Sequence, residues 1–176
     1  MKKAVFFDRD GTLIIDKIYL NDPDAIEYLP GVFDGLKLLK ENGFEFVVVT
    51  NQSGVPRGLV QIENLDQIHK NIETEMAKHD IQILDFYYAP HLVESNHHLR
   101  KPNPGMLEMG IEAFGIDPKQ SWMIGDRMTD VEAGHRAGMK SIFIEGTENH
   151  KDSEYAAPEF VAQTFMELCQ QIIDNS

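Results

Sequence analysis

Four short stretches of this chain hold side chains with chemistry to offer. The first, VFFDRDGT from Val5 to Thr12, runs an apolar segment into two carboxylates one residue apart, then into a glycine and a hydroxyl. In an extended chain the side chains at i and i+2 share a side, so Asp8 and Asp10 can address one reacting centre, and Gly11 permits a sharp turn behind them. Two carboxylates this close repel unless a cation or a shared proton relieves them. The stretch MIGDRMTD adds Asp126 and Asp130, and oxygen ligands of this kind suit magnesium, not zinc. VVVTNQSG contributes Thr50, Asn51, Gln52 and Ser53, neutral donors that suit phosphate oxygens. RKPNPG supplies Arg100 and Lys101 just before a helix, whose N-terminus also favours an anion.

Together these residues describe a phosphoryl group held by Thr50 and Lys101 against a magnesium ion bound by Asp8 and Asp126. Asp8 then attacks phosphorus and forms an aspartyl phosphate. Asp10 has the spacing to protonate the leaving oxygen and later to activate water.

Such a site needs a scaffold that brings strand ends together. Short apolar runs at 3–7, 44–49, 84–89, 121–124 and 140–144 have the length and the aromatic or β-branched content of buried strands. Helical stripes lie between or after them: Val32, Leu36, Leu39; Leu65, Ile68, Ile72, Met76; Leu107, Ile111, Phe114; and Val161, Phe165, Leu168, Ile172. Gly43 ends the first helix, Asn103-Pro104 reads as the start of the third, and Thr129 with Glu132 reads as a capping box. This alternation predicts an α/β fold, a Rossmann-like parallel sheet with helices on both faces, and in such sheets ligands sit beyond the carboxyl ends of the strands. His69 and His79 fall off their helix's apolar stripe and are expected in solvent. Cys169 lies beside the last stripe and reads as a small core residue, and Trp122, Tyr87 and Tyr88 lie within strand runs.

Composition limits the rest. A chain of 176 residues, 42% apolar and 26% charged, without repeats or low-complexity tracts, suits one domain over 1–176. Its net charge of -13 argues against nucleic acid as the partner. The single cysteine excludes an internal disulfide, and no apolar run approaches the roughly 20 residues of a membrane span. A cytoplasmic protein without membrane contact is expected.

DRDGT, VVTNQSG, RKPNPGM and IGDRMTD, in this order, resemble the four motifs of the haloacid dehalogenase superfamily of phosphotransferases, from about residue 3 to 145. The resemblance implies a hydrolase: Asp8 as nucleophile and magnesium ligand, Asp10 as acid/base with its backbone carbonyl on the metal, and Asp126 as metal ligand. It implies Thr50 and Lys101 as phosphate anchors, and leaves Asp130 between metal ligand and orienting residue. Many members carry a cap domain. Here the gaps from Ile14 to Gly43 and from Gly54 to Arg100 are too short for one, so the loops 15–29, 51–59 and 88–99 should set specificity.

The longer stretches VVVTNQSGVPRG and YAPHLVESNHHLRKPNPGM are similar to the capless branch that holds the D-glycero-D-manno-heptose 1,7-bisphosphate phosphatases and the histidinol-phosphate phosphatases. NQSGVPRG leans toward the first, and so toward removal of a sugar 7-phosphate in lipopolysaccharide synthesis, with Arg57 and Arg100 on the substrate's hydroxyls or second phosphate. Histidinol phosphate or another small phosphate ester is the alternative substrate. A response-regulator-like or purely phosphate-binding module is the alternative of another class, against which the second acid Asp10 speaks. Many members of this branch clamp the third loop with zinc; the matching positions here are Ala89, His91, His97 and Leu99. With two of four ligands replaced, structural zinc is not expected; His91, His97 and His98 are read as solvated, with a different metal site formed by the three as the alternative. A monomer acting on a small phosphorylated sugar is the resulting expectation.

Overall fold

Residues 4–7 are an unbroken apolar run, Ala-Val-Phe-Phe, and in the structure, a computed structural model describing residues 1–146 and 148–176, they form with Lys3 the centre of one parallel sheet. The strands are β1 (Lys3–Phe7), β2 (Phe44–Asn51), β3 (Phe86–Ala89), β4 (Trp122–Gly125), β5 (Lys140–Ile144) and β6 (Phe160–Ala162). Their order is β3-β2-β1-β4-β5-β6, every neighbouring pair parallel. The helices are α1 (Val32–Glu41), α2 (Ile62–Lys78), α3 (Gly105–Phe114), α4 (Met128–Arg136) and α5 (Phe165–Asp174).

The period of 2 in β1 sorts its side chains between two cores. Val5 and Phe7 pack with Leu36, Ile68, Ile72, Phe165 and Leu168 of α1, α2 and α5. Ala4 and Phe6 face the other way, against Met106 and Leu107 of α3 and Ala133 of α4. Phe6 and Phe7 are both 0% exposed, and full burial of such a ring is worth ~1.5–3 kcal/mol. Gly35 brings α1 close to α5: a Cβ there would lie 2.6 Å from the Phe165 ring and 2.8 Å from Cys169 Sγ.

Cys169 is wholly buried, and burial pushes its thiol up to about 12. A thiol so placed is neither accessible nor ionised near neutrality. The native protein is therefore expected to show no reaction with an aromatic disulfide reagent, and one equivalent after denaturation. Full reaction of the native protein would show that the α1–α5 contact opens freely.

The five expected strands are present, with their boundaries shifted by up to two residues. The last element differs. Val161, read as the first position of a helical stripe, lies in β6, which pairs with β5 and covers what would otherwise be an exposed edge. α5 starts only at Phe165, where the Thr164 hydroxyl accepts the Glu167 N–H at 3.1 Å. Two helix starts move as well, the third helix by one residue and the fourth by two. α3 is capped by Pro104, not Asn103, whose amide donates to the Asn96 and His97 carbonyls. α4 begins at Met128, not after Thr129, because the Asp130 carboxylate accepts the Arg127 N–H at 3.1 Å and closes the first turn there. His79 also differs from expectation, stacking on the Phe33 ring at 3.9 Å.

The strand order reverses direction between β1 and β4, the position where parallel sheets open a crevice beyond their carboxyl ends. Among the described residues, 14–43 hold a loop and α1, and 54–100 hold α2, β3 and loops, so no large cap covers that crevice. No helix of the described residues is long and apolar enough to cross a membrane.

Candidate active site

β1 delivers Asp8 into the crevice. The Asp8 N–H is tied to the Ile124 carbonyl of β4 at 2.9 Å, so the first carboxylate and the end of β4 are held as one unit. β4 then delivers Asp126, and the first turn of α4 delivers Asp130. One carboxylate oxygen from each of Asp8, Asp126 and Asp130 lies within 4.8 Å of the others, and all three residues are buried.

Lys101 enters this cluster from the loop before α3. Its Nζ donates to Asp8 Oδ1 at 2.9 Å and to the Val49 carbonyl at 2.7 Å, and it pairs with Asp130 Oδ1 at 2.7 Å. Burial alone would lower the Lys101 pKa, but Asp130 and Asp8 outweigh it and hold the ammonium above its usual value. One ammonium does not balance three carboxylates. Burial first, then the neighbouring Asp8, pushes the Asp126 and Asp130 carboxyls well above the carboxylate range. Asp126 Oδ1, buried, has no hydrogen-bond partner among the described residues. An orphaned oxygen among crowded acids is the donor set of a hard divalent cation, so the residues present fit magnesium.

Bare backbone sets where these acids stand. Gly11 has φ +79°, and a Cβ on it would lie 2.1 Å from Asp126 Oδ2. A Cβ on Gly125 would likewise lie 2.1 Å from Asp130 Oδ2.

Asp10 stands in a different environment. Arg9, wholly buried, grips its carboxylate: Nε donates to Oδ1 at 3.2 Å, and Nη2 to Oδ1 and Oδ2 at 3.1 Å each. Gln52 Nε2 donates to Asp10 Oδ2 at 3.2 Å and to Thr50 Oγ1 at 2.9 Å. Burial raises the Asp10 pKa, and Asp8 adds to the rise, while Arg9 opposes it. The net result is a pKa above that of a free carboxyl.

The remaining sequence-derived residues line or adjoin a cleft of about 440 Å3. Asp8, Asp10, Asp130, Asn51, Gln52, Ser53, Arg57, Arg100 and Lys101 are on its wall, while Thr50 and Asp126 are almost fully buried beside it. Asn51 uses both ends of its amide on the Lys101 backbone, accepting the N–H and donating to the carbonyl at 3.0 Å each. Both ends of its amide are thus taken up by the Lys101 backbone. All three expected specificity loops reach the cleft, through Asp16, Ile18 and Tyr19, through Ser53, Gly54 and Arg57, and through Val93.

The third loop is fastened by its own groups. The His91 and His97 rings stack at 3.6 Å, Arg100 Nη1 donates to the His91 carbonyl, and His97 Nδ1 accepts the Leu99 N–H. Ala89 is buried at the end of β3, and Leu99 packs on the α3 side of the sheet.

Sequence reasoning missed three charged or titratable participants. Arg127 lines the cleft and follows Asp126 directly, so its place at the end of β4 was the available signal. Arg9 and His69, both buried, gave no periodic signal. His69 was expected in solvent, but its Nε2 lies 3.1 Å from Arg9 Nη1 and its ring stacks on Phe86.

Comparison with known proteins agrees with this architecture. The profile of the family described as HAD-hyrolase-like matches residues 98–168. The D-glycero-beta-D-manno-heptose-1,7-bisphosphate 7-phosphatase of Haemophilus influenzae is 40% identical over 146 residues, 80% of this chain and 79% of that protein. The protein of that name from Escherichia coli K12 is 35% identical across 96% of this chain and 93% of its own. Among solved structures, D,D-heptose 1,7-bisphosphate phosphatase from B. bronchiseptica, complexed with magnesium and phosphate, superposes with a TM-score of 0.88 at 24% identity, covering 99% of each chain. Its likeness bears on the fold. Sequence identity of this extent over most of both chains means that this protein belongs to the haloacid dehalogenase-like phosphatases, in the family of the heptose-1,7-bisphosphate 7-phosphatases.

Proposed function

We propose that residues 1–176 act as a single-domain, monomeric, cytoplasmic phosphatase that removes the 7-phosphate of D-glycero-D-manno-heptose 1,7-bisphosphate, a step toward lipopolysaccharide. The observation that carries the chemistry is the buried Asp8–Lys101–Asp130 cluster with the orphaned Asp126 oxygen beside it. Asp8, Asp126 and the Asp10 backbone carbonyl would hold magnesium, with Asp130 orienting Lys101. Bound there, the ion would offset charge on the phosphoryl oxygens and make the crowding of acids tolerable.

Asp8 acts as the nucleophile: its carboxylate oxygen bonds to phosphorus as the bond from phosphorus to the sugar oxygen breaks. Asp10, its pKa raised by burial, delivers a proton to that departing oxygen. The Asp10 carboxylate then takes a proton from water, the water oxygen bonds to phosphorus, and the bond to Asp8 breaks, releasing inorganic phosphate. Lys101 and Thr50 hold the phosphoryl oxygens, with Gln52 and Ser53 at the wall, while Asn51 keeps Lys101 in register.

The heptose 1,7-bisphosphate for which the relatives are named carries a second phosphate, and the cleft has cations for it. Burial and the proximity of Arg127 and Arg57 lower the pKa of Arg100, so three guanidinium groups crowd one region. An anion there relieves their repulsion.

The test is phosphate release with magnesium and with chelator, from heptose 1,7-bisphosphate beside histidinol phosphate and fructose 1,6-bisphosphate. A magnesium-dependent preference for the heptose is the expected result. Preference for histidinol phosphate would overturn the sugar assignment, and equal rates with chelator the metal assignment.

A further inference from the structure

Arg9 is the most demanding side chain in the protein. It is wholly buried, and a guanidinium in the interior needs a partner for each of its nitrogens. Asp10 takes Nε and Nη2. Nη1 is met by His69 Nε2, from the first half of α2, at 3.1 Å. A guanidinium only donates, so His69 Nε2 is the acceptor and the ring is neutral with its proton on Nδ1. Burial and the Arg9 charge pull the His69 pKa down to about 3, which keeps that form throughout the neutral range.

The ring has no freedom to leave this position. It stacks on Phe86 at 4.9 Å with 21° between planes, and tilts against Tyr88 at 6.2 Å, both on β3. Rigid elements thus fix His69, His69 fixes the far edge of Arg9, and Arg9 fixes both oxygens of Asp10. Gln52 steadies Asp10 from the other side.

We propose that His69 is a positioning residue for the reaction, aiming the Asp10 carboxyl at the departing oxygen through the buried Arg9 guanidinium. The inference rests on the acid/base reading of Asp10. It differs from that reading in what it asks of α2, an element with no residue in the reacting centre.

The test compares kcat/KM for the preferred ester of the panel above with kcat/KM for p-nitrophenyl phosphate. Departure of the sugar oxygen needs a proton from Asp10, whereas nitrophenolate departs without one. His69→Leu keeps the volume and removes the acceptor. Misplacing a catalytic group by about 1 Å costs on the order of 10²-fold, so kcat/KM for the sugar ester should fall by that factor and kcat/KM for p-nitrophenyl phosphate far less. In His69→Gln the amide oxygen takes the place of Nε2 and should restore the rate on the sugar ester. If His69→Leu does not fold, His69→Asn, whose amide is too short to reach Nη1, should show the same selective loss.

Unchanged activity on both esters, or an equal loss on both that His69→Gln does not restore, would overturn the proposal and leave His69 a packing residue. Asp10→Asn, measured in parallel, separates the two readings. If it retains full rate, the role of Asp10 itself fails. If it is inactive while His69→Leu is normal, only the positioning inference fails.

Discussion

Replacing Asp8 with asparagine should reduce phosphate release by at least about 10⁴-fold, while the protein stays folded. Asparagine has nearly the same shape, and its amide oxygen can still accept from Lys101 Nζ, which stands 2.9 Å from Asp8 Oδ1. What it lacks is the anionic oxygen that bonds to phosphorus. The substitution also removes one of three carboxylates that crowd one another in the absence of a cation. The melting temperature without magnesium should therefore be equal to or above that of the parent. Thermal melts alongside phosphate-release assays check both halves, and a folded Asp8→Asn protein with parental rate would show that the phosphoryl group does not pass through Asp8.

Asp10→Asn should lose about 10²- to 10⁴-fold on a sugar phosphate, and here the cost extends to stability. The Arg9 side chain is 1% exposed and ion-paired with Asp10 at 3.1 Å. Removing one partner of a buried pair typically costs about 3–5 kcal/mol, and less here because the Asp10 side chain is 22% exposed, so the melting temperature should drop in this variant and not in Asp8→Asn. With p-nitrophenyl phosphate the first half-reaction needs no acid, but water attack still needs the base. Rapid mixing should then show a burst of nitrophenolate, one per enzyme, followed by slow turnover. A linear time course at the parental rate would remove Asp10 from the activation of water, and a parental rate on the sugar phosphate would remove it from both proton transfers.

The residues that sequence reasoning found are those whose position follows from the ends of strands. Asp8, Asp126 and Lys101 follow apolar runs or precede a helix, and a parallel sheet collects such points on one edge. Arg9 was invisible for the same reason, since alternation turns it from the side that Asp8 and Asp10 were expected to share, and only a partner from another element explains its burial. That partner, His69, follows Ile68 by one position, just off the stripe of Leu65, Ile68, Ile72 and Met76. By period it belonged in solvent, yet β3 presents Phe86 and Tyr88 to that flank. β6 escaped for want of length: three residues, Phe160–Ala162, are too few to establish a period of 2, and Val161 happens to keep helical spacing with Phe165 and Leu168. The start of α3 moved by one residue, to Gly105, and that of α4 by two, to Met128, because side chains from the third loop and from the metal-type cluster decided which turn closed first.

The two glycines beneath the acids limit how this protein can change over time. At Gly11 and Gly125 even a methyl group would occupy the space of an Asp126 or Asp130 oxygen, 2.1 Å away. Neither glycine has a functional group, and neither could be found by looking for chemistry. In a saturation map of inactivating substitutions both should nonetheless stand as intolerant as the aspartates, because each supplies the reaction with an absence of atoms. Drift in substrate preference is left to the three loops, whose side chains can be exchanged without disturbing that backbone.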